Sequence, residues 1–314
     1  MSGAAARPPS DAATVAVVGS VHHDLHLHVA HLPRPGETLL ARQWERAPGG
    51  KGANQAVACA ATGTSTAMVG AVGDDAAAET VVSALDAAGV DVTMVQRLTA
   101  RATSTAVVIV AADGANSIVV AADASSALDP STVETCLARV PALAVVLSQA
   151  EVPDEVVRAA TAGAAAAGAR TVHNLAPYRP ASAALLACCD PLVVNEVEAA
   201  ALARDLGVAA RGPELLAVRL AESCASVVVT LGAQGAVWAR GPESGHVRSP
   251  QVPVVDTSGA GDAFVGALCA SLAVGAELPE ACAAGVQAGA RAVQHRGAQV
   301  ARTSVEAPVG RSLR

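Results

Sequence analysis

Residues 255–268, Val-Asp-Thr-Ser-Gly-Ala-Gly-Asp-Ala-Phe-Val-Gly-Ala-Leu, set an acid, Asp262, just behind the small residues Ser258, Gly259, Ala260 and Gly261. An apolar run, 252–255, leads into the segment, and an apolar, alanine-rich helical pattern follows it. Small residues let backbone N–H groups approach a ligand closely, and a helix N-terminus favours negative charge, so the segment predicts an anion site. A carboxylate in the first turn of that helix is well placed to take the proton of a hydroxyl that attacks a phosphoryl group. Without that role, Asp262 is an N-terminal helix acid, stabilising by ~0.3–1 kcal/mol.

Of the 21 Lys and Arg residues, Lys51 is the lone lysine, in Pro-Gly-Gly-Lys-Gly-Ala-Asn-Gln, 48–55. A chain that otherwise uses arginine keeps a compact ammonium among glycines, suited to phosphate or hydroxyl contact without a planar fork. A lysine retained by chance is the plain alternative. This is no Walker A loop, since Gly-Lys is not followed by Ser or Thr.

The elements that must position these groups alternate. Strands are expected at 14–19, 66–72, 142–147, 171–173, 191–194, 226–230 and 236–239, and helices at 52–62, 76–88, 154–167, 196–204, 263–275 and 279–294. Such alternation predicts a parallel sheet covered on both faces. Residues 31–48 and 91–121 are strand-like without helices, with Asp113-Gly114 marking a hairpin. They are read as a small β lid over a main domain made of 14–30, 49–90 and 122–302. Tails are expected at 1–13 and 303–314.

Composition narrows the function. Hydrophobic residues make up 52% and aromatics 1% of the chain, so the core must be built from Ala, Val and Leu. Only Trp44, Trp238, Tyr178 and Phe264 carry large rings, which leaves no stacking platform for single-stranded nucleic acid. The net charge of −7 argues against a polyanionic partner. Seven scattered cysteines without a C-x-x-C pair read as reduced, buried residues of a cytoplasmic protein. No uninterrupted apolar run of membrane-spanning length is present. A dinucleotide oxidoreductase would need G-x-G-x-x-G after the first strand, where Gly19-Ser20-Val21-His22 stands instead.

Gly49-Gly50-Lys51-Gly52-Ala53-Asn54-Gln55-Ala56 and Asp256-Thr257-Ser258-Gly259-Ala260-Gly261-Asp262 resemble the two signature segments of the PfkB carbohydrate kinases, and within that family the ribokinases. The resemblance covers roughly residues 15–299. It implies a ribokinase-like three-layer α/β/α sandwich with a mostly parallel sheet and a β lid. It also implies ATP and Mg²⁺ as cofactors, a monovalent cation such as K⁺, a small sugar as substrate, and a homodimer formed through the lid. Asp262 would be the base and the N–H groups of Gly259, Ala260 and Gly261 the anion hole. His22, Asp24, Gly50, Lys51, Asn54, Glu151 and Asp256 would surround the sugar. Asn195, Thr230, Gly232 and Gly235 would serve the nucleotide, Glu198 the Mg²⁺, and Asp256, Ser258, Val293 and Gly297 the K⁺. Mg²⁺ needs only one or two carboxylates. Glu198, Glu151 and the 230–235 turn also have purely structural readings, as a helix acid, a helix-start acid and a strand-to-hairpin turn.

Three places depart from the family pattern. His22 stands where asparagine is usual in Gly-Ser-x-Asn-x-Asp, Asp123-Ala124-Ser125 replaces Gly-Ala-Asn, and Ala301 lacks the hydroxyl usual in the cation loop. His22 therefore points to a sugar that differs from ribose or to a tolerated variation. On a strand, His22, Asp24, His26 and His28 share a face with metal-like spacing. The preferred reading has this strand run from the substrate site into the lid hinge, with the outer histidines solvated.

Overall fold

A computed structural model describes residues 13–299; the expected tails and Ala301 lie outside the described residues, apart from Ala13. Among the described residues, thirteen strands form two sheets. They are β1 (Thr14–Val18), β2 (His22–Val29), β3 (Gln43–Gly49), β4 (Ser65–Gly73), β5 (Asp91–Leu98), β6 (Thr105–Ala111), β7 (Asn116–Ala121), β8 (Leu143–Gln149), β9 (Arg170–Asn174), β10 (Leu192–Asn195), β11 (Val227–Thr230), β12 (Ala236–Arg240) and β13 (Glu243–Val247). The helices are α1 (Lys51–Ala61), α2 (Ala76–Ala87), α3 (Asp123–Ser126), α4 (Pro130–Leu137), α5 (Asp154–Ala167), α6 (Ala183–Cys188), α7 (Glu196–Asp205), α8 (Pro213–Leu220), α9 (Ala260–Ala273) and α10 (Leu278–Ala292).

The large sheet runs β13-β12-β11-β10-β9-β8-β1-β4-β5, parallel from β11 to β5, with an antiparallel hairpin at the β13 edge. Central strands such as β1, Thr-Val-Ala-Val-Val, are buried along their whole length, as strands covered on both faces must be. Alternate residues serve opposite cores. Val15 and Val17 pack with α1, α2, α9 and α10, whereas Ala16 and Val18 pack with α3, α4 and α5. Further along the sheet, α6, α7 and α8 cover the same face as α4 and α5. The expected three-layer α/β/α sandwich with a smaller lid sheet is therefore present.

The lid is the four-stranded sheet β3-β2-β6-β7, and its boundaries differ from those read in the sequence. Residues 91–98, expected in the lid, form β5 at the edge of the large sheet, because helix α2 packs on that sheet and returns the chain parallel to β4. Residues 22–29, expected in the main domain, form the second lid strand. Their sequence, His-His-Asp-Leu-His-Leu-His-Val, is too polar for a strand covered on both faces. Within 31–48 only the end, from Gln43, is strand. Strand β13 was not anticipated, and the described cysteines are all free thiols. No helix among the described residues is long and apolar enough to cross a membrane.

Helices α1 and α9 cross closely because their facing residues are small. A Cβ on Gly266 would come within 2.6 Å of Ala58 Cβ and 2.7 Å of the Gln55 carbonyl oxygen. Gly266→Ala is therefore expected to cost about 1–3 kcal/mol through overpacking and to part the helices that carry the two signature segments. The denaturant midpoint measures it; an unchanged midpoint would show that the crossing has room to spare.

Candidate functional site

The N-termini of α1, α7 and α9 converge beyond the carboxyl ends of β9, β10 and β11. Together they enclose a cavity of about 150 Å³ whose lining includes Lys51, Asn195, Glu198, Gly259, Gly261 and Asp262. Three positive helix ends directed at one small space make an anion-binding environment. Thr230 and Asn174, at the ends of β11 and β9, complete the wall. A larger but shallow depression of about 430 Å³ around Gly168, Arg170 and Asp190 lies at the opposite, amino end of β9 and holds none of the expected residues.

Gly259 begins α9 in the left-handed conformation, φ 71°, and its Cα lies against the backbone of Ala298, where a Cβ would fall 2.4 Å from the Ala298 oxygen. Only glycine meets both demands. Of the three amides expected in the anion hole, that of Ala260 turns back to the Thr257 carbonyl at 3.3 Å. Those of Gly259 and Gly261 have no acceptor among the described residues, and a Cβ on Gly261 would meet open space.

Asp262 is buried in the first turn of α9. Its Oδ2 accepts from Asn54 Nδ2 at 3.1 Å and its Oδ1 from Gln55 Nε2 at 2.9 Å. Burial pushes its carboxyl above the ordinary carboxylate range, opposed by the Lys51 ammonium and then by the two amides. Burial in turn acts to lower the Lys51 ammonium, but Asp262, Glu151 and Glu198 around it leave the net shift upward. Asn54, expected at the sugar, has both side-chain functions engaged, with its Oδ1 accepting from Gln299 Nε2 at 3.0 Å.

Asn195 and Glu198 form a capping box. Asn195 Oδ1 accepts the Glu198 amide and Glu198 Oε2 accepts the Asn195 amide, each at 2.8 Å. Glu198 is buried, not the exposed helix acid of its structural reading. Burial raises its carboxyl, against the Asn195 N–H and Lys51. Glu151 caps α1 from outside that helix: its Oε2 accepts from Ser20 Oγ at 2.5 Å and the Lys51 amide at 2.9 Å. Gly50 is the N-cap of α1 at φ 88°. Gly235, φ 96°, has no room for a side chain, since a Cβ would lie 2.0 Å from the Val247 oxygen; Gly232 faces open space.

The lid contributes Asp24, on β2. Its Oδ1 accepts the Ala106 amide at 2.9 Å, and burial raises its carboxyl, opposed by that N–H and then by His22 and His26. His22 is buried beside it, with Nδ1 3.7 Å from Asp24 Oδ1 and a buried Nε2 that has no partner among the described residues. Two of the departures in sequence meet here: His22 bridges to Ser104, whose hydroxyl bonds Ser125 Oγ at 3.1 Å. Among the described residues no three metal-ligating side chains form a cluster, so the histidine segment makes no such site. His26 and His28 are half-buried, and His31 pairs with Glu37 at 2.9 Å.

Asp256 ties two loops together. Its Oδ1 accepts the Ser258 amide and its Oδ2 the Gly297 amide, each at 2.9 Å, while the Val293 carbonyl accepts from the amides of Val255 and Asp256 at 2.7 and 3.2 Å. Burial acts to raise the Asp256 carboxyl, but these amides and His26 leave it below the ordinary range. Gln55, Gln149, Asn174 and Gln299, which contact Asp262 or its partners, were not singled out by sequence. Only their adjacency to the motifs (Gln55 follows Asn54) could have marked any of them.

Fold and site together define a phosphotransferase of the three-layer α/β type, with an anion cavity at the ends of parallel strands and a β lid. The profile of the pfkB family carbohydrate kinases matches residues 12–304, and the chain belongs to that family. It is 34% identical to the ribokinase of Haemophilus influenzae over 91% of this chain and 94% of that protein. It is 31% identical to the deoxyribokinase of Salmonella typhi, over 93% and 96%. The crystal structure of ribokinase from Thermotoga maritima superposes with a TM-score of 0.83 at 30% identity, covering 92% of this chain and 96% of that one. The chain is thus an ATP-dependent kinase of the sugar and nucleoside type.

Lys51 is the strongest influence holding the Asp262 carboxyl down. Lys51→Met removes that positive charge, so the carboxyl rises further and the acid limb of the kcat/KM profile moves to higher pH. A limb that stays or moves to lower pH would contradict the electrostatic assignment.

Proposed function

We propose that this chain transfers the γ-phosphoryl group of ATP to a sugar hydroxyl, converting D-ribose to D-ribose 5-phosphate. The observation that carries the reading is the cavity that joins Lys51, Asp262, Gly261 and Glu198 at three helix N-termini. Asp262 takes the hydroxyl proton as the sugar oxygen bonds to phosphorus and the bond to ADP breaks. The amides of Gly259 and Gly261 and the Lys51 ammonium stabilise charge on the transferring group. Asp24 and Asp256 accept sugar hydroxyls, Glu151 holds the start of α1, and Asn195, Thr230, Gly232 and Gly235 border the nucleotide. The lid excludes water so that ATP is not hydrolysed.

Glu198 fits Mg²⁺, because the capping box uses one of its carboxylate oxygens and leaves the other toward the cavity. Mg²⁺ there would neutralise phosphate charge. In the potassium set the Val293 carbonyl already accepts two amides, while each Asp256 oxygen accepts one backbone N–H and keeps a further lone pair. The proposed transfer routes no step through that ion.

A second reading within the family is another sugar or a nucleoside, and His22 with its free Nε2 favours it. A distant third is a sugar sensor without turnover. A coupled ADP-release assay with Mg²⁺, with and without K⁺, against pentoses, hexoses and nucleosides separates them. Ribose turnover is expected, lowered about 10²–10⁴-fold in Asp262→Asn. Activity on another polyol alone, with ribose turnover restored by His22→Asn, replaces ribose as substrate; silence on every compound overturns the kinase reading.

We further infer a homodimer through the lid. Pairing at the exposed lid edges was the expectation from sequence, but a whole face also favours it. The side of the lid bearing His26 turns to the body, where His26 acts on Asp256. Cross-strand register places Trp44, Leu27 and Ile109 in one row of the opposite side, and Leu25, Val107 and Val119 in the next. Trp44 is 67% and Val119 66% exposed, so this side of the lid offers large apolar side chains for a second copy to cover. Light scattering should give twice the chain mass, falling to one chain in Val119→Glu; a monomeric wild type sinks the inference.

A further inference from the structure

A chain of buried amides backs the Asp262 carboxylate; Asn174 reaches the cavity wall, whereas Gln55 and Gln149 do not line the cavity. Gln55, on α1, and Gln149, at the end of β8, are both 0% exposed. Gln149 Nε2 donates to Gln55 Oε1 at 2.8 Å. Gln55 Nε2 donates to Asp262 Oδ1 and to Asn174 Oδ1, each at 2.9 Å. Asn174 Nδ2 in turn donates to the Val193 carbonyl at 3.1 Å.

This pattern allows Gln55 one orientation. Reversed, its oxygen would face two acceptor oxygens and its NH₂ would face the NH₂ of Gln149. Asn174 cannot reverse to relieve it, because its Nδ2 donates to a backbone carbonyl, and a reversed Gln149 would still leave the Gln55 oxygen against Asp262. At the far end, a Cβ on Gly19 would fall 2.0 Å from Gln149 Oε1, so the glycine after β1 is what makes room for that amide. Gln149 Oε1 is left without a hydrogen bond among the described residues, a cost accepted where polar groups are buried for orientation.

We propose that Gln55, oriented by Gln149 and Asn174, is a positioning residue that holds the Asp262 carboxylate in plane and ionised for proton abstraction. It does not touch substrate: it is wholly buried and is absent from the cavity lining. Asn54, on the other oxygen, differs in reaching Gln299 and the loop that packs on Gly259. The proposal rests on the reading of Asp262 as base. The charged groups that face Asp262 are Lys51 from α1, Glu151 from the turn after β8 and, across the cavity, Glu198 from α7. None is altered in the test.

The test compares wild type, Gln55→Met and Asp262→Asn on the sugar found active, following kcat and KM across pH. Gln55→Met keeps the side-chain length and removes both donors. Loss of a hydrogen bond to an ionised group is worth roughly one to two pH units. The acid limb of kcat/KM should therefore move upward by that amount, kcat at neutral pH should fall about tenfold, the KM values should stay, and alkaline pH should recover activity. A folded Gln55→Met with an unmoved limb and unchanged kcat overturns the proposal. If Gln55→Met does not fold, Gln149→Met decides, since it removes only the donor that orients Gln55; an upward limb supports the proposal and an unmoved one overturns it. If Asp262→Asn keeps its activity, the reading of the base fails first, whatever Gln55 does.

Discussion

The Asp262 carboxyl is buried, and groups from distant parts of the chain are gathered around it. Asp262 lies in the first turn of α9, among apolar neighbours that include Phe264 and Val265. Burial raises its carboxyl above the ordinary range. What opposes burial comes from the Lys51 ammonium and the amides of Asn54 and Gln55. Their sum requires α1 and α9 to cross at near-backbone contact, which the small residues Gly266 and Ala58 permit. The alanine-rich composition serves the same end, since helices with little side-chain volume can bring their backbones together.

Helix direction supplies the second layer of the electrostatics. Parallel strands connected by helices point the helix N-termini toward the carboxyl edge of the sheet, and α1, α7 and α9 direct theirs at one cavity. The acids around that cavity are then bound into structure. Glu198 closes a capping box, Glu151 caps α1 and Asp256 joins two loops. Each is therefore held in place before any ligand arrives, and each retains acceptor capacity beyond its structural bond. Structural and functional readings of these acids, set against each other in the sequence, are compatible in the fold.

Much of this was legible in advance. The Gly-Ala-Gly-Asp segment and the glycine-flanked lysine marked the two ends of the cavity, and periodicity placed most helices and strands. The misplaced pieces share a cause. Residues 91–98 look like a strand in either sheet, and only the packing of α2 returns them to the edge beside β4. Residues 22–29 carried a usable signal, their polarity, which a strand buried on both faces would not tolerate. The amides behind Asp262 carried almost none. Gln149 and Asn174 sit at the ends of strands β8 and β9, 94 and 119 residues from Gln55, and no local pattern ties them to it.

By itself the sequence determined what depends on local geometry and residue chemistry: the alternation of elements, the small-residue anion turn, the placement of an acid behind it and the single lysine. Tertiary structure alone decided which sheet each edge strand joins, which amides remain free, and how His22, Ser104 and Ser125 share one buried corner. The division is physical. Backbone freedom, helix dipoles and side-chain charge act over a few residues and are written where they act. Burial, and the hydrogen bonds that compensate it, exist only after distant segments meet.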